Sequence, residues 1–196
     1  IGTDKESPDV IAEIALQHKD AGVAVLVFVR TLDAVNSVYK RLTDKKKGVS
    51  SKNVQQLTGT MRGFERDRLA TFDPVFARFV PASDRHGGLT PTEGTVYLVC
   101  TSAGEVGVNL SADHMVCDLS SFDSMAQRMG RVNRFGEHTD TRIDVVYPTD
   151  FDDKSNLTPA RQATLALLRE LNGDGSPRAL GELPADKRIA AFAPEP

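Results

Sequence analysis

Ala24 to Val29 reads Ala-Val-Leu-Val-Phe-Val, and this unbroken apolar run restricts the fold more than any other feature of the chain. A strand that is apolar on both faces has to be covered on both, which is the situation of a parallel strand between layers of helices. Thr95 to Cys100 and His114 to Leu119 repeat the pattern. Two more strands are predicted near 54–58 and 142–147, and helical spacing marks segments near 8–20, 32–43, 62–78, 122–133 and 158–172. In the second of these helices Thr31 is the expected N-cap, with Ala34, Val35, Val38, Tyr39 and Leu42 keeping the period. Strands and helices in this order imply an α/β fold, a parallel sheet with helices on both faces.

In such folds ligand groups emerge at the C-terminal ends of strands. Arg30, Thr101 and Asn109 are expected there. The stretch Gln127-Arg128-Met129-Gly130-Arg131-Val132-Asn133-Arg134 adds a charged face. At about 100° per residue, a helix continued through this stretch would set Gln127, Arg131 and Arg134 on one stripe. Phe122, Met125, Met129 and Val132 would then form the buried side, and Arg128 would point away from the stripe. Guanidinium stays ionised and offers a planar fork of donors that suits phosphate oxygens. Two arginines opposite an apolar stripe are also what a plain solvated face shows, so the stripe needs company to mean more.

That company is the order of blocks along the chain. Gln-x-x-Gly-Arg-x-x-Arg resembles motif VI of superfamily 2 helicases. Thr101-Ser102-Ala103-Gly104-Glu105-Val106-Gly107-Val108-Asn109 resembles their motif V, and Arg30-Thr31 at the end of the first strand resembles motif IV. Thr58-Gly59-Thr60-Met61-Arg62 resembles the loop that grips a strand backbone in the same enzymes, while Arg62, Arg66 and Arg68 could equally meet phosphates or water. The likeness covers most of residues 20–150. It is nearest to the CRISPR-associated helicase-nuclease of type I interference systems, on Thr101 to Asn109, Cys117-Asp118-Leu119 and Met125 to Gly136.

The resemblance implies a RecA-like domain, P-loop NTPase-like but without a phosphate loop of its own, because no Gly-x-x-x-x-Gly-Lys-Ser/Thr occurs. It implies Gln127, Arg131 and Arg134 as catalytic residues on an ATP γ-phosphate, Arg134 being the arginine finger. Gly107 and Asn109 would line the nucleotide side; Arg30, Thr31, Thr58, Gly59 and Thr101 would contact nucleic acid. ATP, with Mg²⁺ held by a first RecA-like domain of the same protein, is the implied cofactor. Single-stranded DNA and a guide-RNA surveillance complex are the implied partners. Gln127, where RNA-unwinding DEAD-box enzymes commonly carry His, argues against that branch. The related enzymes couple 3′-to-5′ translocation to a metal-dependent HD nuclease, of which His18-Lys19-Asp20 is no sign.

Composition adds limits. The 196 residues fit one domain, 40% hydrophobic and 26% charged, with net charge −3 and pI near 5.8. This argues against a strongly basic nucleic-acid module, and any DNA contact has to come from a local stripe. The lysines around 45–47 are read as solvated. No apolar run approaches the length of a membrane span, and no leader is evident, so a cytoplasmic location is expected. Cys100 and Cys117 read as core residues of a reduced protein, and the four scattered histidines lack ligand spacing, so no metal site is expected. The missing initial Met suggests a fragment.

Residues 1–172 are read as the domain, 81–94 as a surface insertion, and 173–196, which carries four prolines, as a linker or tail toward a further domain. A superfamily 2 repair or remodelling ATPase would share every motif, and the neighbouring domains would separate it. A non-enzymatic nucleic-acid or protein-binding module would have no need of the Gln127, Arg131 and Arg134 set.

Overall fold

The computed structural model describes residues 1–85, 89–105 and 109–194, apart from the side chains of Arg66, Ala70 and Asp84. Among the described residues five strands form one sheet, all parallel: β1 (Ala24–Phe28), β2 (Val54–Leu57), β3 (Val96–Cys100), β4 (His114–Asp118) and β5 (Arg142–Val146). Their spatial order is β2-β3-β1-β4-β5. The three central strands are buried along their whole length, and their alternating side chains feed two separate cores. Leu26, Phe28, Leu98, Cys100, Met115 and Cys117 face one layer, and Val25, Val27, Tyr97, Val99 and Val116 face the other. The apolar runs therefore lie where the sequence expects them, a residue shorter at some ends.

Helices α1 (Ser7–Leu16) and α2 (Leu32–Leu42) cover the second layer through Ile11, Ala12, Ala15, Val35, Val38 and Leu42. Thr31 caps α2 as expected, its hydroxyl accepting from the Ala34 N–H at 3.2 Å. The first layer is covered by α3 (Gly63–Phe72), α4 (Phe122–Met129) and α5 (Thr158–Glu170). Three helices are shorter than their periodicity suggests. α1 stops before His18. α3 stops at Phe72, because Asp73 precedes Pro74 and takes the extended conformation a proline imposes on its neighbour. α4 stops at Met129.

The stretch expected as a tail folds back onto the first layer as α6 (Pro177–Glu182) and α7 (Ala185–Ala190), with Leu180, Leu183 and Ala191 buried in that core. The Ala191 carbonyl accepts from Phe122 N at 2.9 Å, which ties the segment to the start of α4. Both cysteines are buried; burial pushes the Cys100 thiol far up and the Cys117 thiol to about 12. Among the described residues no helix is long and apolar enough to cross a membrane.

Candidate functional site

The early end of α4 overturns the single helical stripe. Gly130 caps the helix, Arg131 and Val132 run on as a turn, and Asn133 adopts φ 45°, the left-handed conformation. Val132 pairs as an isolated bridge with Ala112, flanked by Ala112 N to Arg131 O and Asn133 N to Ala112 O, both 2.8 Å. Arg134 N then donates to Ser111 Oγ at 3.1 Å. The Asn133 side chain closes the following loop by bonding the backbone of His138 in both directions, at 2.7 and 3.0 Å. Gln127, Arg131 and Arg134 nevertheless converge, on the wall of one open cleft of about 1350 Å³ that Glu105 also lines. Burial and the neighbouring Arg134 charge both lower the pKa of Arg131. All three residues line this cleft, the two arginines by way of a turn and a bridge.

Arg128, expected on an indifferent face, is instead 1% exposed and forms the centre of the site. Its Nε donates to Glu105 Oε1 at 2.7 Å, and its Nη1 to Asp118 O and Oδ1 at 3.0 and 3.1 Å. Its guanidinium lies 5.1 Å from the centre of the Phe28 ring. Burial alone would favour loss of its proton, but the neighbouring groups, Asp118 foremost, hold it more firmly than usual. Ser124 Oγ donates to the same Glu105 oxygen at 2.6 Å. Glu105 also accepts at its backbone carbonyl from the Arg131 guanidinium.

The chain of charges continues. Asp118 Oδ2 accepts from Arg30 N at 3.0 Å and from Arg30 Nε at 3.1 Å. Arg30 Nη2 lies 3.0 Å from Asp4 Oδ1, and Asp4 is gripped by both terminal nitrogens of the fully buried Arg161, at 2.7 and 2.6 Å. Burial raises the Asp4 pKa, but Arg161 and Arg30 outweigh it and hold the carboxyl below its ordinary range. In this sheet order β3 and β4 flank β1, which makes the C-terminal end of β1 a topological switch point. That crevice is filled by the chain's own Arg30, Asp118 and Arg128. A phosphate reaching Arg30 would have to compete with two carboxylates.

The residues expected at nucleic acid are only partly gathered. Thr101 Oγ1 accepts from Gly59 N at 3.3 Å, and Thr101 N donates to Leu57 O at 3.2 Å, which joins the loops after β2 and β3. Thr58 is nearly buried, with its hydroxyl 2.9 Å from that of Thr60. A Cβ on Gly59 would meet nothing within 4 Å, so the fold does not demand glycine there. Thr31 uses its hydroxyl as the α2 cap. Asn109 is exposed on the return segment toward β4, since Asp113 already bonds Ala24 at the start of β1. Gly107 lies outside the described residues. Among the described residues no three His, Cys, Asp or Glu side chains gather in a way that could hold a metal ion.

Sequence reasoning gave no role to Arg128, Glu105, Asp118, Asp4 or Arg161. One signal was present: Asp118 ends a strand buried on both faces, and a buried carboxylate requires a cationic partner.

Fold and motif order define the class, a RecA-like α/β domain like those of superfamily 2 helicases. The family model for the C-terminal part of the CRISPR-associated nuclease/helicase Cas3 matches residues 21–137, and the chain belongs to this family. No curated protein matches it in sequence. Among solved structures it resembles T. fusca Cas3 with ATP, at 19% identity and a TM-score of 0.65 over 96% of this chain and 22% of that one. It also resembles a chain of a CRISPR RNA-guided surveillance complex in a pre-nicking state, at 17% identity and a TM-score of 0.60, covering 93% of this chain and 22% of that one. The DUF1998 helicase MrfA bound to DNA is more distant, at 17% identity and a TM-score of 0.53, covering 86% and 21%. At such identities the likeness is one of fold. The chain spans about a fifth, 22%, of the T. fusca Cas3 length.

Proposed function

We propose that this domain is the second motor half of an ATP-dependent DNA helicase or translocase acting in CRISPR type I interference. The observation that carries the reading is the convergence of Gln127, Arg131 and Arg134 on one cleft without a phosphate loop anywhere in the chain. The set supplies hydrogen-bond donors and positive charge, which fit the outer phosphates of ATP but cannot enclose the nucleotide. A first RecA-like domain holds ATP·Mg²⁺, and this domain closes over it. Arg134, exposed on its braced loop, is the finger that meets charge developing on the γ-phosphate. Arg131 and Gln127 fix the approach, and Asn109 and Gly107 belong to the same nucleotide side.

Thr101 and Gly59, with Thr58 beside them, grip the phosphates of a single DNA strand, with Arg30 and Thr31 at its margin. The surveillance complex is the partner that loads the motor, a reading supported by the likeness to the structure of such a complex. Family membership favours this setting over a repair or remodelling ATPase.

The test is ATP hydrolysis with and without single-stranded DNA. In the whole protein, DNA should stimulate turnover, while the 196-residue chain alone should show none above background. Robust turnover by the isolated chain would overturn the half-site reading.

A further inference from the structure

Helix α3 turns its largest apolar side chains away from the core. Leu69, with Met61 just ahead of the helix, packs on the first layer, whereas Phe64 is 77% exposed and Phe72 68% exposed. At about 100° per residue Phe64, Arg68 and Phe72 fall within an arc of about 80°. Two rings and a guanidinium therefore share one exposed stripe. The acidic neighbours are largely engaged inside the fold. Glu65 Oε2 accepts from Arg62 N at 3.0 Å, and Asp73 accepts from Gln55 Nε2 at 2.7 Å and from Phe76 N at 2.8 Å. Asp67 stands about 60° outside the stripe. Beside Phe72 an open recess of about 300 Å³ is lined by Glu65, Arg68, Leu69 and Asp73, at the small end of the range of ligand pockets. The stripe begins where the proposed strand grip ends: Met61 N donates to Thr58 O at 3.2 Å to close the turn, and Arg62 is the N-cap of α3.

We infer that Phe64 and Phe72 form a stacking platform for the bases of single-stranded DNA, with Arg68 between them on the backbone phosphates. Every base has a π-face, and aromatic side chains set beside cationic ones hold a single strand without reading its sequence. Eight residues of helix place the two rings about 12 Å apart, against about 3.4 Å between neighbouring nucleotides of a stacked strand. Each ring therefore takes its own base, with other nucleotides between. A duplex is a poor ligand for such a platform, because its base faces are already covered by one another. Docking of another protein domain is the competing use of exposed rings. The centre of a protein interface is depleted of charge, and here Arg68 stands between the rings with Glu65 beside them.

This rests on the function proposed above, and the experiment separates the two. In the whole protein, binding of a labelled oligo-dT and of an abasic oligomer of the same length is followed by fluorescence anisotropy. Wild type is compared with Phe64→Ala, Phe72→Ala, Phe64→Trp, Arg68→Ala and Thr101→Ala, and melting temperatures are measured alongside. Phe64→Ala and Phe72→Ala should each weaken oligo-dT binding about tenfold, equivalent to about 1.4 kcal/mol, and leave abasic binding at its wild-type value. Phe64→Trp, which keeps a stacking face, should bind oligo-dT at least as tightly as wild type. Arg68→Ala should weaken both oligomers and lower the slope of log Kd against log salt by about 0.7, the share of one phosphate on a single strand. The phenylalanine variants should keep the wild-type slope. Unchanged oligo-dT binding in both phenylalanine variants, or an equal loss on the abasic oligomer, overturns the platform. A lower melting temperature with oligo-dT binding intact would mark the stripe as a face covered by another domain, and overturns it too. If wild type binds neither oligomer, the proposed function fails and the platform with it; if Thr101→Ala loses binding and the phenylalanine variants do not, the platform alone fails.

Discussion

Arg128 Nε lies 2.7 Å from Glu105 Oε1, and this contact joins two segments 23 residues apart at one end of a chain of three arginines and three carboxylates. Its members are Arg161, Asp4, Arg30, Asp118, Arg128 and Glu105, so the charges balance. Removing one partner of a buried pair strands the other without water or counter-charge. Arg128→Ala should therefore cost about 3–5 kcal/mol of folding stability. The exposed Arg178 and Glu182 pair, with nitrogen and oxygen 3.0 Å apart, is the control, because solvent screens it and Arg178→Ala should leave stability unchanged. Urea unfolding of both variants checks this; equal midpoints would mean that the chain of charges contributes nothing to folding.

Arg134→Ala should behave in the opposite way, leaving the fold intact and removing the chemistry. Its side chain is exposed, and the loop that presents it is held by backbone groups, Ser111 and Asn133, which the substitution leaves in place. In the whole protein, kcat should fall by about 10³ to 10⁵ with little change in nucleotide Kd, because the proposed finger would act on charge that develops in the transition state. Arg131→Ala should lose comparable activity and, in addition, the bond to the Glu105 carbonyl. Single-turnover hydrolysis and equilibrium nucleotide binding separate the two quantities. A tenfold weaker Kd with unchanged kcat would make Arg134 a ground-state ligand, a loss of about 1.4 kcal/mol of binding.

The sheet was legible because burial on both faces leaves a local signature, and Val25 and Leu26 carry it whatever their partners. The end of α4 was not, because Gln127, Arg131 and Arg134 keep helical spacing by coincidence while the chain turns at Gly130 and Asn133. A glycine just past Met129 is the warning that spacing alone overrode. The ion chain was invisible for another reason. Asp4 and Arg161 stand 157 residues apart and Arg30 and Asp118 88 apart, and no periodicity links positions so distant. The fold of 177–190 carried its own sign, Ser176 before Pro177, the order of an N-cap and a first helical residue. Ser176 Oγ does accept from Ala179 N, at 3.2 Å.

Two glycines in neighbouring loops should respond differently to the same substitution. Gly104→Ala forces a Cβ to within 3.0 Å of Phe28 and Cys100, and overpacking of this sort costs about 1–3 kcal/mol. Gly59→Ala meets nothing within 4 Å and needs no positive φ, so folding stability should hold or rise slightly. Its effect should appear in strand binding, since a methyl group there would stand where the proposed grip brings a phosphate. Melting temperature and fluorescence anisotropy with labelled oligo-dT read the two effects separately. Full-strength DNA binding by Gly59→Ala would remove that loop from the proposed grip.

Stability should also fall on mild acidification, through His18. Its ring stacks on that of His114 with centroids 4.3 Å apart, and His114 Nδ1 accepts from Arg142 N at 3.1 Å. Burial lowers the pKa of His18 below its ordinary 6.5; the His114 and Arg142 charges push the same way, while Asp144 and Asp140 oppose them. A histidine with a depressed folded pKa binds fewer protons than the unfolded chain in the window just below 6.5. The sign follows: its contribution is intact above pH 6.5 and is lost as pH falls from there through the folded value. Melting temperature measured from about pH 8 to about pH 5.5, the span over which histidine titrates, should fall more steeply for wild type than for His18→Gln. Carboxylates elsewhere titrate alike in both proteins and cancel in the difference. Parallel curves for the two would show that the His18 and His114 stack carries no proton-linked cost.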